Sequence, residues 1–291
     1  MTKKMSPEAD LIFIDMGDNE WRFDTPRLEL SAHEEFDEAL DIGFSDFGGV
    51  RQDKSKLYDA AYRLQLLIMR YPEFIDAYHH LAMIYEGLGK REEAQALWEK
   101  ATNIGMLKII EHFCKTNTIK WGWLDNRPFL RAMHSLGLQR MKYGNKSEAI
   151  SIFESILSAN PNDNQGIRSL LVECYFDIKR PEKVLRLCMK FPDDTDENIL
   201  YGKVLALLKL KKHTRAEKAL AEAFKYLPNI TRELAKKAHR KPEGYGTRWL
   251  THGSIDQAYE YWQRQGHVWK STEGAQVFVQ EWLKREVSSK L

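Results

Sequence analysis

The 291-residue chain is poor in the residues that define several other classes of protein. It has three cysteines, Cys114, Cys174 and Cys188, and no CxxC pair. We therefore expect small buried thiols rather than a disulfide framework or a zinc site. Nine prolines and 17 glycines are few for a protein of strands and turns. Because 43% of the residues are hydrophobic, a disordered chain is excluded.

Long hydrophobic runs are also missing. The stretch Leu11–Ile14 is short and surrounded by acids, and Val204–Leu210 is interrupted by lysine. A secretory signal needs a longer apolar region, and a membrane-spanning helix needs about 20 apolar residues. The sequence therefore predicts no signal peptide, no membrane span and a cytoplasmic location.

Signatures of catalysis and of cofactor binding are not found. The sequence contains no HExxH, GxSxG or phosphate-binding loop pattern. His79 and His80 are adjacent, so on a helix their side chains point about 100° apart and do not share a metal easily. We therefore expect no catalytic residues, no metal, no cofactor and no enzymatic activity.

The small net charge of +2 hides an uneven distribution. Residues 1–56 hold seven basic and 14 acidic side chains, whereas residues 205–250 hold 12 basic and four acidic ones. The acidic segment is interpreted either as an arm that docks on basic repeats or as a solvated tail. The basic segment has Tyr201, Tyr226 and Tyr245 nearby, so nucleic-acid binding is the alternative function.

A repeat dominates the middle of the chain. Apolar helical patterns place a small residue at Ala60, Ala94, Ala149, Val184 and Ala216, with gaps of 34, 55, 35 and 32 residues. Four of these patterns are followed by a proline, Pro72, Pro161, Pro192 or Pro228, and Gly87–Lys90 is the turn before the pattern that contains Ala94. A period near 34 residues indicates stacked helical hairpins, and the 55-residue gap indicates an insertion.

At these residues the chain resembles the tetratricopeptide repeat (TPR) family. Tyr78, Leu81, Ala82, Tyr85, Ala94, Trp98 and Ala101 fit one unit, with Met106 where proline is usual. Leu136-Gly137, Ala149, Phe153 and Pro161 fit a second. The resemblance implies an all-α, right-handed superhelical TPR-like solenoid of helix-turn-helix hairpins, with one inserted helical segment and a C-terminal helical cap.

A narrower resemblance rests on the insertion. Trp121-Gly122-Trp123-Leu124-Asp125-Asn126-Arg127-Pro128 and the later Asn160–Gly166 segment look like mostly bacterial TPR proteins related to the suppressor-of-tumorigenicity family. The insertion has two interpretations. It is either a helical and aromatic plug between repeats or a partner-binding lip formed by Trp121, Trp123 and Arg127.

The repeat register predicts five segments. These are an acidic N-terminal arm or cap at 1–56, TPR hairpins at 57–106, a Trp-rich insertion at 107–129, TPR hairpins at 130–229 and a helical cap at 230–291. The first helix of the first hairpin is expected at Ile42–Arg51, directly before the helix that contains Ala60.

The resemblance implies a binding groove on the inner face of the first helix of each hairpin. The expected groove residues are His79, Met83, Glu86, Arg131, His134, Leu138, Met141, Glu173 and Tyr201. This mixed apolar and polar set suits a peptide or helix. A chaperone-tail carboxylate clamp uses lysine, asparagine and arginine at fixed groove positions, where this chain has His79, His134, Met83 and Leu138, so the clamp is absent. The predicted function is therefore a protein-interaction scaffold or adaptor, with the groove either open or filled by the chain's own tail.

Overall fold

The computed structural model describes residues 11–25, 28–45, 48–110, 117–246 and 249–288. Over these residues the protein is an all-α, TPR-like helical repeat, with one two-stranded hairpin added near the N-terminus. The chain divides into two compact units, Met1–Gln165 and Gly166–Leu291. Within the described ranges, no helix is both long and apolar enough to cross a membrane.

The first unit contains one strand hairpin and three helical hairpins. Strands β1 and β2 are antiparallel, and the helices pair in order as α1 with α2, α3 with α4 and α5 with α6. The bounds are β1 Ile12–Asp15, β2 Trp21–Asp24, α1 Leu30–Gly43, α2 Lys54–Arg70, α3 Ile75–Gly87, α4 Arg91–Ile109, α5 Arg127–Lys142 and α6 Lys146–Ala159.

The second unit contains two helical hairpins followed by three further helices. The hairpins are α7 with α8 and α9 with α10, and α8 also packs against α9. Helices α11, α12 and α13 pack on one another and contact α9 and α10. The bounds are α7 Ile167–Asp177, α8 Pro181–Lys190, α9 Glu197–Lys209, α10 His213–Tyr226, α11 Pro228–Leu234, α12 Ile255–Lys270 and α13 Ala275–Ser288.

The small residues of the repeat lie at the closest helix crossings. Ala60, Ala94, Ala149, Val184 and Ala216 are all buried. Glycine is needed at one such crossing, since a Cβ atom on Gly137 of α5 would lie 2.4 Å from Cε1 of Phe153 on α6. The helix interiors are therefore packed as the repeat pattern predicts.

Proline sets the length of the second helix in most hairpins. Pro72, Pro161, Pro192 and Pro228 each follow the end of such a helix by two residues, because proline lacks an N–H group and restricts the residue before it. Helix α4 has Met106 at the corresponding place and continues to Ile109. The missing proline thus lets α4 run into the insertion.

The first helix of the first hairpin is not where the repeat length placed it. It is α1, Leu30–Gly43, and the expected helix at Ile42–Arg51 is wrong. The connection from Phe44 to Asp53 is much longer than Leu88–Lys90 in the next hairpin, and its ends are joined by a bridge between Phe44 and Val50. The expectation failed because it assumed a short turn.

The acidic segment is partly built into the first unit. Glu35 pairs with Arg70, and Glu38 pairs with Arg63 at 3.2 Å, so acids of α1 meet bases of α2. The apolar side of α1, with Ala32, Phe36 and Ala39, packs in the core shared by α1, α2 and α3. Residues 1–10 of the expected arm lie outside the described residues.

Candidate protein-binding face

The expected groove residues of the first unit lie on α3 and α5, which pack side by side. Two ion pairs join these helices. Arg131 Nη2 donates to both carboxylate oxygens of Asp76, at 2.9 and 2.7 Å, and Lys142 Nζ lies 3.1 Å from Glu86 Oε1. The pairs hold the two helices at both ends of the predicted groove.

Two predicted groove residues, His79 and His134, lie deeper than expected. His79 is buried, and burial lowers its pKa to about 3, with the charges of neighbouring His80 and Arg131 adding to the effect. Burial also lowers the pKa of the half-buried His134. Both rings are therefore neutral at pH 7. No cluster of metal-ligating side chains occurs among the described residues.

The accessible part of this face lies further along the two helices. Leu138 is 39% exposed, and Met83, Glu86 and Met141 are partly exposed. Met83 also packs against the cores on both sides of α3. The result is a small apolar surface with flexible methionine side chains, edged by the Glu86–Lys142 pair, which we call the α3–α5 face.

The opposite end of α3 and α5 is covered by the N-terminal strand hairpin. Phe23 of β2 is buried and its ring centroid lies 5.1 Å from that of Phe129 on α5. A cavity of about 190 Å³ remains there, lined in part by Phe36, Asp76 and Arg131. Burial alone would raise the pKa of Asp76, but the hydrogen bond with His80 and the positive charge of Arg131 lower it overall.

The inner face of the second unit is covered by the chain itself. Tyr201 has no exposed surface, its hydroxyl donates to the Leu227 carbonyl at 2.7 Å, and its ring lies 5.6 Å from that of Tyr261 on α12. Glu173 is paired with Arg264 of α12 and accepts from Asn198 Nδ2 at 3.2 Å. Two of the expected groove residues, Glu173 and Tyr201, therefore contact the C-terminal helix α12.

The Trp-rich insertion packs against the strand hairpin. Trp121 and Trp123 are half-buried, with the guanidinium of Arg127 over the Trp121 ring and that of Arg22 over the Trp123 ring. Thr118 forms a parallel bridge with Glu20, and Arg127 Nε donates to the Trp121 carbonyl. These contacts favour the plug over the lip. Residues 111–116 of the expected insertion lie outside the described residues.

Asn126 is a structural residue that the sequence interpretation missed. It is fully buried, its Oδ1 accepts from the Phe23 N–H at 2.9 Å, and its Nδ2 donates to the carbonyls of Trp21 and Lys120, each at 3.0 Å. Three backbone groups of two distant segments thus depend on one side chain. The only sequence signal is an asparagine just before the Arg127-Pro128 helix start.

The packed hairpins, their small crossing residues and the partly apolar α3–α5 face define a TPR-like helical repeat protein. Residues 57–291 match the Tcf25 family, which is described as transcriptional repressor TCF25. Since this match covers most of the chain, the protein belongs to the Tcf25 family.

Solved structures with TPR-like repeats are among those similar to this chain. One is a Podosopora anserina protein of nearly identical TPR-like repeats, at 14% identity and a TM-score of 0.43, covering 66% of this chain and 93% of that one. Another is the TPR domain of P58(IPK), at 13% identity and a TM-score of 0.29, covering 87% and 77%. No curated protein matches the chain.

Proposed function

We propose that this protein is a non-enzymatic interaction scaffold that acts in transcriptional repression by binding another protein at the α3–α5 face. The observation that carries the proposal is the accessible apolar surface of Leu138, Met83 and Met141 on two helices held together by ion pairs. The family description supplies the process.

The composition of the face suits a peptide or a short helix with apolar side chains. Methionine side chains adapt to different apolar partners, and an exposed leucine between them provides a contact point. Glu86 and Lys142 at the edge provide one charge of each sign. Binding at this face should therefore depend mainly on an apolar side chain at the centre of the partner, and less on the sign of the partner's charge.

The second unit offers less inner surface for a partner. Arg264, Gln257 and Tyr261 of α12 contact the side chains of Glu173, Glu197 and Tyr201 that would line it. We therefore propose that the predicted groove is used in the first unit, and that the C-terminal helices act as the cap of the second.

Nucleic-acid binding stays an alternative prediction with less support. Tyr201 is buried, and Lys241 Nζ lies 5.4 Å from the centre of the Tyr245 ring, so neither ring is a fully open stacking platform. Within residues 205–250, Lys236 also pairs with Glu233. A cytoplasmic location and the relationship to bacterial suppressor-of-tumorigenicity proteins likewise stay predictions.

A tethering experiment tests the proposed function. The full chain is fused to a heterologous DNA-binding domain, and transcription from a reporter carrying its binding sites is measured. Leu138→Glu places a charge at the centre of the α3–α5 face and should relieve repression, because a buried apolar contact is lost. Met189→Glu changes an apolar residue of α8 that is more exposed than Leu138, at 56% against 39%, and should keep repression.

The two parts of the proposal fail in different ways. If the unsubstituted fusion leaves transcription unchanged, the role in repression is rejected. If the fusion represses and Leu138→Glu represses equally well, the α3–α5 face is rejected as the binding site. Equal thermal midpoints of the two variants establish that a difference between them reflects binding.

A further inference from the structure

The outer surface of α2 carries an apolar stripe. Tyr58, Tyr62, Leu66 and Met69 are 53%, 59%, 38% and 76% exposed. Their spacing of four, four and three residues places them on one side of the helix. We call these four residues the α2 stripe. It lies on the side of α2 opposite the buried Leu57, Leu64 and Leu67, and so is separate from the α3–α5 face.

The repeats provide an internal comparison for this surface. When the second helices of the hairpins are aligned on their small crossing residue, the four stripe positions correspond in α6 to Ser147, Ser151, Ser155 and Ser158, all of which are exposed. In α10 the same positions hold Thr214, Lys218, Glu222 and Lys225, and in α4 they hold Glu92, Ala96, Lys100 and Asn103.

The comparison shows that the fold does not require apolar side chains at these positions. Each corresponding helix keeps its crossing residue buried while its outer positions are small or polar. Four large apolar side chains in a row on a solvent-exposed helix face are typical of a surface that binds another molecule.

The charges around the stripe indicate the chemistry of the partner. At its N-terminal end, Lys54 is exposed one turn before Tyr58, and Lys90 Nζ lies 5.4 Å from the centre of the Tyr58 ring. At the other end, the charge of Arg70 is paired with Glu35. The stripe is thus positively charged at one end and close to neutral at the other.

We propose that the α2 stripe binds an amphipathic helix of another protein that carries acidic residues at one end. Four apolar side chains along about three helical turns match the apolar face of a partner helix. Acidic residues at one end of the partner would meet Lys54 and Lys90. This site is distinct from the α3–α5 face and does not depend on the function proposed for that face.

A second copy of this chain fits the stripe less well. It would bring the same two lysines, and the acid nearest the stripe on α2, Asp59, already accepts from Arg63 Nε at 3.2 Å. Self-association would therefore leave the positive end without an acidic counterpart.

The test uses a display library of single helices with leucine or phenylalanine at one-sided positions and glutamate at one end. A matched library has lysine in place of the glutamate. The full chain should enrich binders from the acidic library only. Tyr62→Ser with Met69→Ser copies the residues of α6 and should weaken those binders at least about tenfold, because two of the four apolar contacts are removed.

Two controls separate the site from other surfaces. Lys54→Glu with Lys90→Glu should weaken the same binders and reduce the salt dependence of binding. Leu138→Glu, which alters the α3–α5 face, should leave their affinity unchanged.

Three outcomes would overturn the inference. They are equal enrichment from the lysine library, binders that are insensitive to Tyr62→Ser with Met69→Ser, and concentration-dependent dimerisation that this double substitution abolishes. The last is measured by sedimentation of the unsubstituted chain and would assign the stripe to a second copy.

Discussion

Arg131 on α5 donates two hydrogen bonds from one nitrogen to the carboxylate of Asp76 on α3. The two helices are separated in sequence by the whole of α4 and the Trp-rich insertion. The side chain of Asp76 is only 13% exposed, whereas that of Arg131 is 37% exposed. The acid of the pair is therefore buried, while its basic partner reaches solvent. The pair joins α3 and α5, which belong to neighbouring repeats on either side of the insertion.

Replacing this acid should destabilise the first unit. Asp76→Asn keeps the shape of the side chain but leaves Arg131 without its counter-charge. Because Asp76 is buried while Arg131 reaches solvent, the cost should be about 1–3 kcal/mol, between the values for exposed and buried pairs. The free energy of unfolding in urea measures the effect. Asp59→Asn, which removes an exposed pair with Arg63, should cost less than about 1 kcal/mol. Equal losses in the two variants would contradict a structural role for the Asp76–Arg131 pair.

His79 should make the first unit sensitive to acid. Its pKa is about 3 in the folded chain and about 6.5 when unfolded. Between these values the unfolded state binds more protons, so stability falls as the pH decreases from about 6.5 towards 3. His79→Gln should flatten the dependence of the unfolding free energy on pH between 7 and 5.

The unsubstituted chain provides the reference slope of unfolding free energy against pH. A slope that is unchanged in His79→Gln would contradict the burial of a neutral imidazole at this position. Stability at pH 7 is compared separately, because glutamine fills the site differently.

Asn126 should be required to hold the strand hairpin on the insertion. Asn126→Ala leaves the Phe23 N–H and the Trp21 and Lys120 carbonyls without their partner. Unsatisfied buried groups cost about 1–3 kcal/mol each before water enters. Hydrogen exchange at the Phe23 amide should accelerate. Asn103→Ala, on the exposed side of α4, should leave it unchanged, and equal protection in both variants would contradict the assigned role.

Much of the helical repeat could be predicted from the sequence, because its causes are local and periodic. Ala94 and Ala149 recur where helices cross, and Pro161 and Pro192 follow helix ends. In a repeat protein of this kind each unit packs on its neighbours in a similar way, so similar residues recur at the same positions. The helices from α3 to α10 follow from such signals, with boundaries that the turns and prolines define.

The features that could not be predicted depend on contacts between distant segments. The strand hairpin is held by Asn126, about a hundred residues away, and nothing in Trp21–Asp24 indicates this partner. The repeat register correctly placed Tyr201 on the first helix of its hairpin, but the burial of its ring comes from α12, which lies outside the register. Burial of a helix face by a segment that is distant in sequence leaves no periodic pattern in the sequence.

The hairpin turns give a further test of the shared architecture. In four hairpins the residue before the last turn residue has a positive φ: Gly89 at 80°, Gly144 at 105°, Lys179 at 57° and Lys211 at 56°. In three of them the next N–H bonds back to the last helical turn, from Lys90 to Tyr85, from Arg180 to Tyr175 and from Lys212 to Leu207. Glycine adopts this conformation without the steric cost that a lysine Cβ atom brings.

Glycine should therefore stabilise the turns that carry lysine. Lys179→Gly and Lys211→Gly should each raise the free energy of unfolding of the second unit by about 0.5–1 kcal/mol, since the relief of backbone strain exceeds the entropy cost of glycine. Gly89→Ala, the matched change in the opposite direction, should lower that of the first unit by about 1 kcal/mol. Destabilisation by both glycine substitutions would mean that the lysine side chains contribute more than their backbone conformation costs.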